Sequence, residues 1–310
     1  MVAEFHAQAY GLRLATPWPI LPGVRATSGE VDVRFRLAPG FTSIPRPIAT
    51  MADGWYRADL LPGGRVRIVW PGLFDCLVSG DGRDVEIVPL VDEPEYAFTT
   101  HLFGHVLSFA LLRKGLEPLH STVLDYRGAA IGILGDSGYG KSTLAAALLR
   151  SDCRLMTDDL LVLHSDGDKL LAQPGLPRLK LWPEAADRFF PAAPSQAVAP
   201  GARKRILALD SARWVSTPAP LRVLYVLQRP AIRNVATRVS IRRLTPAKAF
   251  VELARNTFNA FLVDPERMRG QFSFASDIAA RTPMRSLTYP AGFDHLPRVV
   301  ERILEDASSG

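Results

Sequence analysis

The sequence predicts an α/β protein with a mostly parallel or mixed sheet, preceded by a small β-rich N-terminal domain. Three observations predict it. Short β-rich runs broken by turn dipeptides fill residues 31–90, strand and helix patterns alternate through the second half, and a glycine-rich turn joins an apolar strand to an alanine-rich helix.

Taking the elements in order, Val31-Asp32-Val33-Arg34-Phe35 and Arg65-Val66-Arg67-Ile68-Val69-Trp70 are strand-like runs punctuated by Pro-Gly, Gly-Gly and Asp-Gly turns. Between residues 99 and 112 apolar positions adopt helical spacing and stop before Lys114-Gly115, which predicts a helix over 97–114 that links a domain of 1–96 to one of 97–310. A strand over Ala129–Leu134 then leads through the glycine-rich turn into a helix over 142–149. Apolar strands follow over 154–163 and 223–227, and this alternation argues for crossover helices on a mostly parallel sheet. Residues 191–201 are rich in proline and alanine without periodicity, so a mobile loop is expected over 191–205, ending in the basic run Arg203-Lys204-Arg205. The tail, 294–306, reads as a closing helix with Leu296, Val299, Val300 and Ile303 inward.

Composition narrows the class. A 310-residue chain with 47% hydrophobic residues can bury a sizeable core, which excludes a disordered or fibrous protein. The opening Met-Val-Ala-Glu-Phe-His lacks a basic run followed by an apolar stretch, and no segment approaches the length of an uninterrupted apolar membrane span. A cytoplasmic protein without a membrane partner is expected. The two cysteines, Cys76 and Cys153, form no disulfide framework and show no ligand spacing with the six histidines. The net charge of +6 is spread along the chain, which points to an anionic ligand rather than a nucleic-acid surface.

The run Gly135-Asp136-Ser137-Gly138-Tyr139-Gly140-Lys141-Ser142 fits G-x-x-x-x-G-K-[ST] and sits between strand and helix, where a phosphate-binding loop must lie. Glycines allow the backbone to wrap phosphate, and the helix that follows adds its positive end. Nucleotide contacts are therefore assigned to Gly135 through Thr143, with Lys141 reaching the β- and γ-phosphates and Ser142 on Mg²⁺. Asp158-Asp159 interrupts an otherwise apolar strand, and buried carboxylates call for Mg²⁺, a lysine or a substrate hydroxyl nearby. Successive strand residues face opposite sides, so one aspartate can act as base while the other supports the cation or a basic group. His120 lies on the strand expected to hairpin with the one entering the loop, where a core role and a functional role are both open.

In their order, His120 to Asp125, Gly135 to Ser142 and Asp158-Asp159 resemble the HPr kinase/phosphorylase family and its relatives, which include kinases of lasso-peptide precursors. The resemblance runs from His120 to Asp159 and implies an ATP-dependent serine kinase. It implies Asp158 as catalytic base, Lys141 and His120 at the phosphates, Ser142 on Mg²⁺, and a catalytic arginine in the mobile loop after the site, for which Arg203-Lys204-Arg205 is the candidate run and Arg205 the residue taken. It also implies a peptide or small-protein partner carrying the acceptor serine, and a homo-oligomer, since HPr kinases assemble as hexamers. Thr143 stands where those kinases usually have glutamate, and Pro174 to Trp182 lacks their acidic metal ligand, which leaves Asp159 as the nearest substitute. The β-rich leader resembles that of the stand-alone relatives, so a lasso-precursor serine is expected ahead of HPr. A nucleotide-sensing regulatory protein that transfers nothing is the competing reading.

Overall fold

The computed structural model describes residues 4–19, 29–52, 54–92, 96–198, 202–228, 238–263 and 265–309. The first half is an antiparallel-dominated sheet of β1 (Phe5–Ala9), β2 (Leu12–Thr16), β3 (Val33–Leu37), β4 (Ala49–Ala52), β5 (Arg57–Leu60), β6 (Val66–Trp70), β7 (Phe74–Val78) and β8 (Asp84–Pro89). Its strand order is β1-β2-β3-β8-β7-β6-β5-β4, with β3 parallel to both neighbours. Strict alternation explains the pairing: Val66, Ile68 and Trp70 on β6 and Phe74, Cys76 and Val78 on β7 are buried, while residues between them are half-buried.

The linking helix consists of α1 (Tyr96–His101), a π turn (Leu102–Val106) and α2 (Leu107–Arg113). Phe98, Phe103, Phe109 and Leu111 are fully buried, and one hydrophobic cluster runs from Leu14 and Ile68 in the first sheet through this helix to Leu124 and Leu144 in the second half.

The second half is built on β9 (Leu119–Tyr126), β10 (Ala129–Leu134), α3 (Lys141–Leu148), β11 (Cys153–Thr157), β12 (Leu160–Leu161), β13 (Leu163–Asp166), β14 (Lys169–Ala172), β15 (Arg178–Leu181), α4 (Pro183–Phe189), β16 (Ser195–Ala197), β17 (Arg205–Ala208), β18 (Ala219–Leu227), β19 (Ser240–Arg243), α5 (Pro246–Arg255), α6 (Pro265–Arg281), β20 (Met284–Thr288) and α7 (Leu296–Ser308). The main sheet is mixed, one of the two arrangements expected, and the mostly parallel alternative is the one to correct. Only β10–β18 and β18–β20 are parallel among its described ladders; β9–β10, β9–β11, β9–β12, β13–β14, β14–β18 and β19–β20 are antiparallel. Short connections account for this. Arg127 and Gly128 between β9 and β10 have φ of 53° and 77°, the tight-turn conformation that matches hairpin twist and leaves no room for a crossover helix.

Two further expectations change. The strand expected over 154–163 breaks after Thr157, because Asp159 takes φ of 82° and cannot continue an extended ladder. Within 191–205, residues 199–201 lie outside the described residues. Among the described residues, however, Ser195–Ala197 form β16 and Arg205 opens β17, so parts of this stretch belong to a three-stranded sheet, β15-β17-β16. Leu207, buried in one cluster with Leu179 and Leu181, and Ile206, buried on the opposite face, supply the apolar driving force that proline and alanine composition concealed.

The hairpin tip between β1 and β2 reaches into the second half. Tyr10 is 1% exposed, adopts φ of 58°, and its N–H donates to Pro174 O at 2.7 Å. A Cβ added at Gly175 would fall on Thr157 Oγ1 and 2.7 Å from Tyr10 Cε1. Gly175→Ala should therefore cost about 1–3 kcal/mol by overpacking, checked as a lower midpoint in urea unfolding; an unchanged midpoint would show that this packing yields freely.

Candidate functional site

All six residues of β10 are buried, and the chain leaves its C-terminal end at Gly135 with φ of 142°. A Cβ there would stand 3.1 Å from Leu227 Cβ, so the turn requires glycine on grounds of both space and backbone conformation. Gly140, φ 98°, immediately precedes α3 and lies 3.4 Å, measured from an added Cβ, from the Tyr289 hydroxyl. Asp136, Ser137 and Gly138 are exposed, Tyr139, Ser142 and Thr143 half-buried, and Tyr139 N–H closes the turn onto Asp136 O at 3.2 Å. Wide backbone angles and a helix start thus fall where the motif placed them.

Lys141 is 7% exposed, and its ammonium donates to Gly135 O at 2.6 Å and Asp136 O at 3.3 Å. Burial lowers its pKa to about 8; Asp158 opposes the shift and Lys204 adds to it. Asp158 is 4% exposed and accepts three hydrogen bonds: from Thr122 Oγ1 at 2.7 Å, Ser142 Oγ at 3.3 Å and Lys180 N–H at 2.9 Å. Lys141, Ser142 and Asp158 are therefore brought together around the mouth of the loop. The expected opposition of two adjacent strand residues gives way to a turn. Asp159 ion-pairs with the Lys180 ammonium, and the carboxylate beside Ser142 is that of Asp158.

His120 pairs with Leu160 across β12, donates its N–H to Asn256 O at 2.6 Å, and sets its ring 5.3 Å from that of Phe258. Burial, then the charges of Lys141 and Lys180, pull its pKa to about 3 against the pull of Asp158, so the imidazole is neutral at physiological pH. Arg205 requires correction. Its guanidinium bonds to Asp187 on α4 at 2.7 Å, and Arg203 bonds to Glu184 on the same helix at 2.8 Å, so both arginines are engaged by α4. The charge of the basic run that reaches Lys141, His120 and Lys180 is that of Lys204. Alternation along β17 sets Arg205 on the face opposite that of Ile206.

Three positions around the loop and its neighbours were not singled out by sequence reasoning. Lys180 was visible only as a charge at period two in an apolar strand, Tyr10 as a turn residue, and Asn256 gave no signal at all. Asn256 ends α5 and clamps the site from a distance of 121 positions: its Oδ1 accepts Gly135 N–H at 3.1 Å, its carbonyl accepts His120 N–H, and its Nδ2 donates to Glu252 O at 2.7 Å. Arg255 beside it lies 3.6 Å from Asp136. Asn256→Ala leaves the buried Gly135 N–H without its side-chain acceptor and should lower stability by about 1–3 kcal/mol. Thermal unfolding with and without Mg·ATP checks this, and a variant that melts like wild type in both conditions would remove Asn256 from its clamping role.

Among the described residues no group of three or more His, Cys, Asp or Glu could hold a metal ion alone. The Ser142 hydroxyl and Asp158 carboxylate form a small set of hard oxygen donors. That set fits Mg²⁺, a cation usually held by one or two protein oxygens together with substrate phosphates.

No protein-family model matches the chain, and comparison with curated proteins gives no match. Among solved structures, the HPr(Ser) kinase/phosphatase from Coxiella burnetii is similar at 12% identity with a TM-score of 0.34, covering 61% of this chain and 94% of that one. No helix among the described residues is long and apolar enough to cross a membrane.

Proposed function

We propose that the chain is an ATP-dependent phosphotransferase of the HPr-kinase-like type, acting on a serine hydroxyl of a peptide or small protein. The observation that carries this reading is the convergence of Lys141, Ser142 and Asp158 at the end of the buried strand β10, with Asp158 Oδ1 3.3 Å from Ser142 Oγ. The loop amides and the start of α3 would receive the phosphates, and Lys141 would exchange its carbonyl partners for phosphate oxygens. Ser142 and Asp158 would hold Mg²⁺, which when bound neutralises charge between the phosphates. Asp158 would also take the proton of the acceptor hydroxyl, and Lys204, whose charge reaches Lys141, would stand in for the arginine that the resemblance places in the basic run. Neutral His120 orients rather than neutralises. The sequence resemblance favours the C-terminal serine of a lasso-peptide precursor as acceptor.

The test is incubation of the protein with Mg·ATP and candidate serine peptides, followed by mass spectrometry. Gain of one phosphate on a serine supports the reading. Nucleotide-dependent peptide binding without any phosphorylated product, across lasso-precursor peptides and HPr, would replace it with a sensor.

A further inference from the structure

The small sheet carries charges that these roles do not use. Along β15 the side chains alternate: Leu179 and Leu181 are buried in the apolar cluster, whereas Arg178 and Lys180 take the opposite face. Lys180 pairs across the ladder with Ile206, and Lys204, two residues before Ile206, shares its face. The Lys180 side chain is 17% exposed and ion-pairs with Asp159, itself 19% exposed, while its backbone N–H donates to Asp158. Its charge is felt at His120, and those of Lys204, Asp158 and Lys141 are felt at Lys180.

The cluster sets three ammonium groups, buried Lys141 and partly buried Lys180 and Lys204, against the carboxylates of Asp158 and Asp159, with the exposed Asp136 acting on Lys141 from the solvent side of the loop. A buried excess of positive charge is costly unless an anion compensates it. Lys141 already lies on the loop, where the motif assigns it to the inner phosphates. Lys180 comes from a different element, β15, and its backbone N–H bonds the same Asp158 carboxylate that accepts from Ser142 at the helix start, so its ammonium belongs to the same neighbourhood as the loop.

We propose that Lys180 is a contact for the γ-phosphoryl group of the bound triphosphate, with Asp159 holding its ammonium until the nucleotide arrives. This rests on the phosphotransferase reading. On binding, the ammonium exchanges the Asp159 carboxylate for a phosphate oxygen, a charge-assisted hydrogen bond that ADP cannot offer. Asp159 is thereby a positioning residue for Lys180 rather than a ligand of the cation.

The experiment is titration of ATP and ADP, each with Mg²⁺, into wild type, Lys180→Met, Lys180→Arg and Asp159→Asn. Lys180→Met should weaken ATP at least tenfold while leaving ADP within about threefold, and Lys180→Arg should restore part of the ATP preference. Asp159→Asn frees the ammonium and should raise the ATP-over-ADP ratio, whereas loss of a metal ligand would lower it. Equal weakening of ATP and ADP in Lys180→Met, or an unchanged or lower ratio in Asp159→Asn, overturns the proposal while the nucleotide reading stands. Should Lys180→Met fail to fold, the Asp159→Asn ratio decides alone. Wild-type protein that binds neither nucleotide overturns the phosphotransferase reading itself, and with it the role of Lys180.

Discussion

Asp158→Asn should leave Mg·ATP affinity within about tenfold of wild type and reduce phosphoryl transfer by roughly 10²–10⁴-fold, the usual contribution of a positioned base. The asymmetry follows from its surroundings. Thr122 Oγ1, Ser142 Oγ and Lys180 N–H all donate to this carboxylate. Asparagine keeps one acceptor and the side-chain volume, but it cannot take a proton and presents Nδ2 to one of these donors. A stability loss of about 1–3 kcal/mol is expected alongside, so the transfer assay belongs at a temperature where a melting curve shows the variant folded. Wild-type turnover by folded Asp158→Asn would remove the aspartate from the chemistry.

Lys141→Met should weaken ATP by about 10–100-fold, since a charge-assisted hydrogen bond contributes roughly 1.5–3 kcal/mol. Transfer should fall at least as far. Methionine retains the stem that packs beneath the loop and loses only the ammonium. The pKa of about 8 shows that burial already penalises the charged form, so the fold retains this group at a cost that a bound anion would recover. Calorimetric titration gives the affinity directly, and ATP binding as tight as in wild type would move the phosphates away from this loop.

Legibility differed sharply between local and long-range features. The strand, glycine-rich turn and helix of residues 129–148 could be read directly, because all the required conformations belong to neighbouring residues: Gly135 and Gly140 take angles that other residues avoid, and Lys141 bonds within six positions of itself. The closing helix was legible for a similar reason, its periodic Leu296, Val299 and Ile303 all being buried, with Val300 at the margin. Pairing direction in the main sheet was not, since the apolar content of β18 is compatible with either a parallel or an antiparallel neighbour and it has both. The basic run could not be resolved into its members, because the register of β17 against β15 sends Arg205 to Asp187 and leaves Lys204 facing the loop.

What the sequence determined by itself is a phosphate-shaped backbone with an ammonium and a hydroxyl at its helix start, since glycine, lysine and serine at fixed spacing dictate that geometry through short-range sterics and hydrogen bonding. Tertiary structure alone decided what surrounds it. Asp158 meets Ser142 and Thr122, Asn256 grips Gly135, and Lys180 and Lys204 crowd toward Lys141 only because strands distant in sequence are packed into register. Burial then gives those charges their strength, because the low-dielectric interior magnifies each interaction that water would otherwise screen.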